Sequence, residues 1–133
     1  MNIVIVGTGY VGLVTGVGLA ELGNTVSFID LDTEKIKKLK NKELPFFEPD
    51  LDKYFSKIEN FERMSFHSNY EDLNWDIVEV VFICVQTPNN TKTNSVDTKF
   101  LESAINKIAE LNNEDIIITV KSTIPPYEIE NVC

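Results

Sequence analysis

A single histidine and two cysteines are all that this 133-residue chain offers among the side chains most used to hold transition metals. With His67 alone, a histidine-based metal cluster is excluded, and no metal is expected; His67 itself is expected on the surface or at a strand end. Cys84 and Cys133 can form at most one bridge, which excludes a secreted disulfide framework and points to a reducing, cytoplasmic setting. Basic residues are also scarce: 12 Lys and Arg stand against 21 Asp and Glu, a net charge of −9. Binding to phosphate backbones or anionic lipid needs clustered Lys and Arg, so no nucleic acid and no membrane partner is expected. No basic segment precedes the apolar amino terminus and no cleavage pattern follows it, which argues against a signal peptide. Asn89-Asn90-Thr91 spells a glycosylation sequon, a chance match in a cytoplasmic protein.

Glycine is absent after residue 23, and all six glycines fall within the first 23 residues. Five of them interrupt an uncharged apolar opening, residues 1–20. Gly12 and Gly16 have the small-xxx-small spacing of packed membrane helices. Gly7, Gly9 and Gly12, in contrast, spell G-x-G-x-x-G directly after the β-branched run Ile3-Val4-Ile5-Val6, the fingerprint of a dinucleotide-binding turn. Glycines at the start of a lipid-crossing helix would weaken it, whereas a strand, a tight turn and a closely packed helix need small residues there. The turn reading is therefore preferred.

Periodicity extends this unit along the chain. Strands are predicted at 3–6, 25–29, 64–66, 80–85 and 116–120, and helices at 11–22, 33–40 and 98–111. A proline-bracketed loop covers 44–49, after which Asp50 or a neighbour caps a helix running to about residue 61. Residues 89–95 read as a polar loop, and Asp97 as the N-cap of the last helix. Strands alternating with helices predict an α/β, Rossmann-like doubly wound parallel sheet, in one domain over 1–133.

Three roles follow for the glycine turn. Gly7 permits the bend, Gly9 lets the backbone approach a pyrophosphate, and Gly12 lets the helix pack on its strand. Orphan amides at the helix start then face the phosphates. Asp30 ends the second strand about 20 residues further on, where a carboxylate accepts from the adenosine ribose hydroxyls. It would repel a 2′-phosphate, and no Arg stands directly after it, so NAD is expected rather than NADP. Asp32 is expected to do no more than cap a helix. Asp30-Leu31-Asp32 also forms the D-x-D triplet of some metal-dependent sugar transferases, a reading the glycine turn speaks against.

The motifs taken together resemble a known family. Gly-Thr-Gly-Tyr-Val-Gly-Leu-Val-Thr-Gly (7–16), Leu-Ala-Glu-Leu-Gly (19–23) and Asp30-Leu31-Asp32 look like the amino-terminal NAD-binding domain of the UDP-glucose 6-dehydrogenases, within the UDP-glucose/GDP-mannose dehydrogenase family. Pro45-Phe46-Phe47-Glu48-Pro49-Asp50-Leu51 resembles that family's P-[IF]-[YF]-E-P-G-L loop, Val85-Gln86-Thr87-Pro88 its V-P-T-P turn, and Lys121-Ser122-Thr123-Ile124-Pro125-Pro126 its K-S-T-V-P-P-G. The resemblance covers the whole chain.

It implies a cofactor set of Gly7, Gly9, Tyr10, Val11 and Gly12 at the pyrophosphate, Asp30 at the ribose, Lys35 near the adenosine half, and Thr87 beside the cofactor. Thr123 would lie at the nicotinamide end and assist catalysis by holding a water or the reacting hydroxyl. Thr87 and Thr123 can also be read as satisfying backbone groups at strand ends. Four positions depart from the family pattern: Asn41 and Asp50 replace glycines with residues that tolerate left-handed backbone better than most, while Gln86 and Tyr127 replace Pro and Gly in the loops around the cofactor.

By the same resemblance, a sixth strand, a connecting helix and a UDP-sugar-binding domain are missing from these 133 residues. With them would go the nucleophilic Cys of a G-F-G-G-S-C-F-P-K-D type segment. Neither Cys84, expected as a small core residue, nor Cys133 is expected to replace it. The expected function is thus the NAD-binding portion of a UDP-glucose dehydrogenase used in polysaccharide biosynthesis, binding cofactor without turnover and taking UDP-sugar only with a second domain. The first motif's Thr8 and Val14-Thr15-Gly16 lean towards UDP-glucose. A stand-alone NAD-sensing module is the alternative; the E-P-D-L and K-S-T-I-P-P stretches speak against a hydroxy-acid dehydrogenase. The strand at 116–120, lacking a neighbour, is expected to become a sheet edge and to drive self-association.

Overall fold

The computed structural model of the chain describes residues 1–90, 95–111 and 115–124. Thr91 of the sequon, Pro125, Pro126, Tyr127 and Cys133 lie outside the described residues. The elements are β1 (Asn2–Val6), α1 (Tyr10–Glu21), β2 (Thr25–Ile29), α2 (Thr33–Lys40), α3 (Leu51–Phe55), α4 (Ile58–Glu62) and β3 (Met64–His67). Two short 3-10 turns follow, then β4 (Val80–Ile83), β5 (Asn89–Asn90), β6 (Ser95–Val96), α5 (Lys99–Leu111) and β7 (Ile117–Val120).

Five strands form one parallel sheet in the order β3-β2-β1-β4-β7, with β1 at the centre. Alternation along β1 divides the core in two. Ile3 and Ile5 face one layer with Leu13, Val17 and Ala20 of α1, Ile36 and Leu39 of α2, and Leu51 and Phe55 of α3. Val4 and Val6 face the other, with Leu101, Ala104 and Ile108 of α5 and with Tyr70 and Trp75. Helices on both faces make the sheet doubly wound, and apolar residues on both sides of β1 are what such a sheet demands.

The small-xxx-small pair in α1 serves this packing. A Cβ on Gly12 would stand 1.9 Å from the Gly7 carbonyl oxygen, and one on Gly16 would stand 2.3 Å from the Phe28 ring. Both glycines therefore press α1 onto the sheet. No helix among the described residues is long and apolar enough to cross a membrane.

Several expectations need correction. The helix foreseen from Asp50 to about residue 61 is two short helices broken at Ser56 and Lys57. In one continuous helix Phe55 and Phe61, six residues apart, would point roughly 120° apart at about 100° per residue. The break lets both rings reach Phe66, at centroid distances of 6.0 and 5.9 Å. Asp50 stands before α3 in the left-handed region (φ 63°), but its side chain caps nothing. At the end of α2, Asn41 is right-handed in φ and the positive φ falls on Lys42 instead. Strand β4 ends at Ile83, which leaves Cys84 just outside it. The polar loop at 89–95 contains β5 and begins β6, a two-strand antiparallel pair.

Candidate functional site

The sheet's register creates the site. Val6, Ile29, His67, Ile83 and Val120 form one row across all five strands. Beyond that row the ladder runs one step further: Gly7 donates to Ile29, Asp30 to His67, Cys84 to Val6 and Lys121 to Ile83. Gly7, Asp30, Cys84 and Lys121 thus emerge side by side from the carboxyl ends of parallel strands, the edge where open α/β sheets bind ligands. A cleft of about 1170 Å³ opens there.

Gly7 has φ +96°, and a side chain on it would collide with the Cys84 carbonyl. Gly9 precedes α1 as its N-cap; no side chain caps this helix start, and no atom lies within 4 Å of where a Cβ would be. Backbone amides of the first turn are therefore presented to open space, an arrangement suited to an anion. Gly7, Gly9, Tyr10, Val11, Asp30, Lys35, Thr87 and Thr123 all line the cleft, whereas Gly12 lies behind the turn, in the helix-to-strand contact.

Asp30 is the most heavily bonded side chain at the cleft. Its Oδ2 accepts from the Thr8 amide at 2.8 Å, the Thr8 hydroxyl at 2.7 Å and Lys35 Nζ at 2.9 Å, and its Oδ1 accepts from the Asp32 amide at 3.0 Å. Burial works against its charge, yet the bonds from Thr8, Asp32 and Lys35 outweigh it and hold the carboxyl below the usual range. Lys35, which the family resemblance places near the adenosine half, pairs with Asp30 at 2.9 Å. Asp32 caps α2 by accepting from the Lys35 amide.

Thr87 and Thr123, 36 residues apart, meet directly: the Thr87 hydroxyl donates to the Thr123 carbonyl at 2.9 Å. Ser122 donates alongside to the Val85 carbonyl at 2.6 Å. Thr87 therefore does satisfy a backbone group. Cys84 is half-buried: it packs against the core on one side and lines the cleft on the other. Burial pushes its thiol up to about 11, against a smaller opposing effect of Lys121, which leaves it a poor nucleophile. His67 ends β3, with Nε2 2.9 Å from Ser65 Oγ.

The sequence did not single out one wall of the cleft. Tyr70, from the turn after β3, and Ser103 and Lys107, from α5, also line it. Burial, with Asp30's charge adding to it, pushes the Tyr70 hydroxyl up to about 12 and keeps it protonated. Lys107 pairs with Glu71 at 2.7 Å, joining α5 to that turn. Their signal was positional: the end of β3 lies beside Asp30 once the strand order is known. Among the described residues no group of His, Cys, Asp and Glu could hold a metal ion.

Residues 1–133 match the UDP-glucose/GDP-mannose dehydrogenase family, NAD binding domain. The chain belongs to this family. It is 42% identical over 132 residues to the UDP-glucose 6-dehydrogenase of Rickettsia bellii, a match covering 99% of this chain and 30% of the relative. Among solved structures it resembles a ternary complex of GDP-mannose dehydrogenase from Pseudomonas aeruginosa (TM-score 0.89, 29% identity, 99% of this chain and 30% of that one). It also resembles a UDP-D-ManNAc dehydrogenase from Pyrococcus horikoshii (TM-score 0.88, 32% identity, 99% and 31%). The chain spans about 30% of the length of the relatives it matches. NAD is the cofactor of the family domain to which the chain corresponds, and the geometry fits it: an uncapped helix start over open space at Gly9 and a carboxylate one step past β2.

Proposed function

We propose that this chain is the cofactor-holding domain of a UDP-glucose 6-dehydrogenase, an enzyme that oxidises UDP-glucose to UDP-glucuronate with two NAD for polysaccharide biosynthesis, and that the 133-residue chain binds NAD without turnover. The observation that carries the reading is the row formed by Gly7, Asp30, Cys84 and Lys121, because it sets a phosphate turn and a ribose-type carboxylate on one ligand-binding edge.

In this reading the amides of Tyr10 and Val11 hold the pyrophosphate over Gly9, Gly12 serves by letting α1 pack close behind the turn, and Asp30 with Lys35 holds the adenosine ribose. Asp30's negative charge repels a 2′-phosphate and selects NAD. Thr87 and Thr123 floor the nicotinamide end, where Thr123 assists by holding a water or the reacting hydroxyl. NAD supplies the hydride acceptor, and this chain supplies its orientation. No G-F-G-G-S-C-F-P-K-D type segment occurs among the 133 residues, and the Cys84 thiol is too weakly acidic to stand in for its nucleophile. Binding of UDP-sugar is assigned to a second domain for the same reason.

Calorimetric titration of the 133-residue chain tests the proposal: NAD binds, NADP binds more weakly, and UDP-glucose plus NAD gives no sustained NADH. Continuous NADH formation would overturn the claim of no turnover, and equal affinity for NADP would overturn the role of Asp30.

A further inference from the structure

Thr8 occupies the second position of the glycine turn and is completely buried, although it is polar. Nothing in the turn's own geometry calls for a hydroxyl there, since Gly7 and Gly9 on either side shape the backbone. Both of its donors go to one atom, Asp30 Oδ2, 22 residues away, at 2.8 Å from the amide and 2.7 Å from the hydroxyl. We propose that Thr8 is a positioning residue for cofactor selection, which locks the Asp30 carboxylate to the phosphate turn and decides which of its oxygens reads the ribose.

A carboxylate oxygen offers about two lone-pair sites. Oδ2 already accepts from three donors, Thr8 twice and Lys35 once, and is saturated. Oδ1 accepts only from the Asp32 amide, so the carboxylate's remaining capacity lies on Oδ1. A ribose hydroxyl is therefore read by that one oxygen, and Lys35 is left as the neighbouring donor for the other hydroxyl. Because both donors of Thr8 sit in the glycine turn, the ribose acid and the pyrophosphate turn move as one body. The charged form of Asp30 is also kept in place against its burial; the Asp32 amide, Lys35 from α2 and the Tyr70 hydroxyl from the turn after β3 are the other polar groups that face this charge.

The inference rests on the NAD-binding reading, and the test separates the two. Thr8→Val keeps the shape and removes the hydroxyl; Thr8→Ser keeps the hydroxyl. The Thr8–Asp30 bond is made without cofactor, so its loss acts on affinity through the misplaced carboxylate; Thr8→Val is expected to weaken NAD about tenfold, near the low end of what a bond to a charged group is worth, and Thr8→Ser to stay near the parent. If Thr8 acts through Asp30, the same Thr8→Val change has no further effect in an Asp30→Ala background. An equal loss in both backgrounds would overturn the proposal, as would a serine variant as weak as the valine one. Carbon NMR titration of the Asp30 carboxylate needs no cofactor: Thr8→Val raises its pKa, and an unchanged pKa overturns the proposal. Should the parent chain fail to bind NAD, the functional reading falls and the titration still decides the role of Thr8. Thr8→Ala gives the same readouts if the valine variant does not fold.

Discussion

The hydroxyl of Thr87 donates to the carbonyl oxygen of Thr123 at 2.9 Å, tying the segment after β4 to the segment after β7. With the bond from Ser122 to Val85, it makes a two-bond floor to the cleft from residues distant in sequence. Thr87→Val removes one of the two. The bond is exposed, so unfolding free energy in urea falls by about 1 kcal/mol or less, while NAD affinity drops severalfold and Thr87→Ser restores it. An unaltered affinity in the valine variant would remove the floor from the binding site.

Gly9 and Gly12 separate binding from folding. A Cβ at Gly9 meets nothing, so Gly9→Ala leaves unfolding free energy within about 0.5 kcal/mol of the parent, while under the proposed function its methyl group intrudes on the pyrophosphate and weakens NAD. A Cβ at Gly12 meets the Gly7 carbonyl at 1.9 Å, a backbone atom that cannot swing aside. Gly12→Ala therefore costs about 3 kcal/mol through overpacking. Denaturation and NAD titration of both variants check the contrast, and equal stability losses would contradict it.

Asp30 gives stability a defined response to acid. Its pKa is lower folded than unfolded, so the unfolded state binds its proton first as pH falls. The contribution is complete above the ordinary value of 3.8 and disappears as pH drops through the lower folded value. Unfolding free energies measured over this range for the parent and for Asp30→Asn should converge at the acid end. A gap of constant size would show that Asp30 carries no such linkage.

Strand β7 has one described neighbour, β4, and Ile117 on it is 63% exposed. Unpaired strand edges with apolar side chains recruit other strands. The 133-residue chain is thus expected to self-associate with rising concentration, and Ile117→Lys to suppress this; light scattering across a concentration series measures both. A strictly monomeric parent chain would dispose of the idea.

What the sequence made legible was whatever local chemistry decides. The β-branched runs, the glycine turn and the acid at the end of the second strand are local, and β1, α1 and β2 stand within a residue of their predicted limits. Features that depend on distant partners were not legible. The break between α3 and α4 answers to Phe66, and β5 exists only through β6. Lys35 follows the helical pattern of a solvated residue, and only the folded turn reveals Asp30 within its reach. Tyr70 and Lys107 belong to segments without a motif, and the strand order alone brings them to the cleft.

The central position of β1 has a consequence for how the chain is made. Its two sheet neighbours are β2, which follows directly after α1, and β4, which ends at Ile83. On a ribosome adding about 5–20 residues per second, β1 waits roughly ten seconds for its second partner. During that interval its apolar edge, the side later closed by Val80 and Val81, is open in the nascent polypeptide. Of the five strands in this sheet, the one that leads into the glycine turn therefore waits longest during synthesis for its second neighbour.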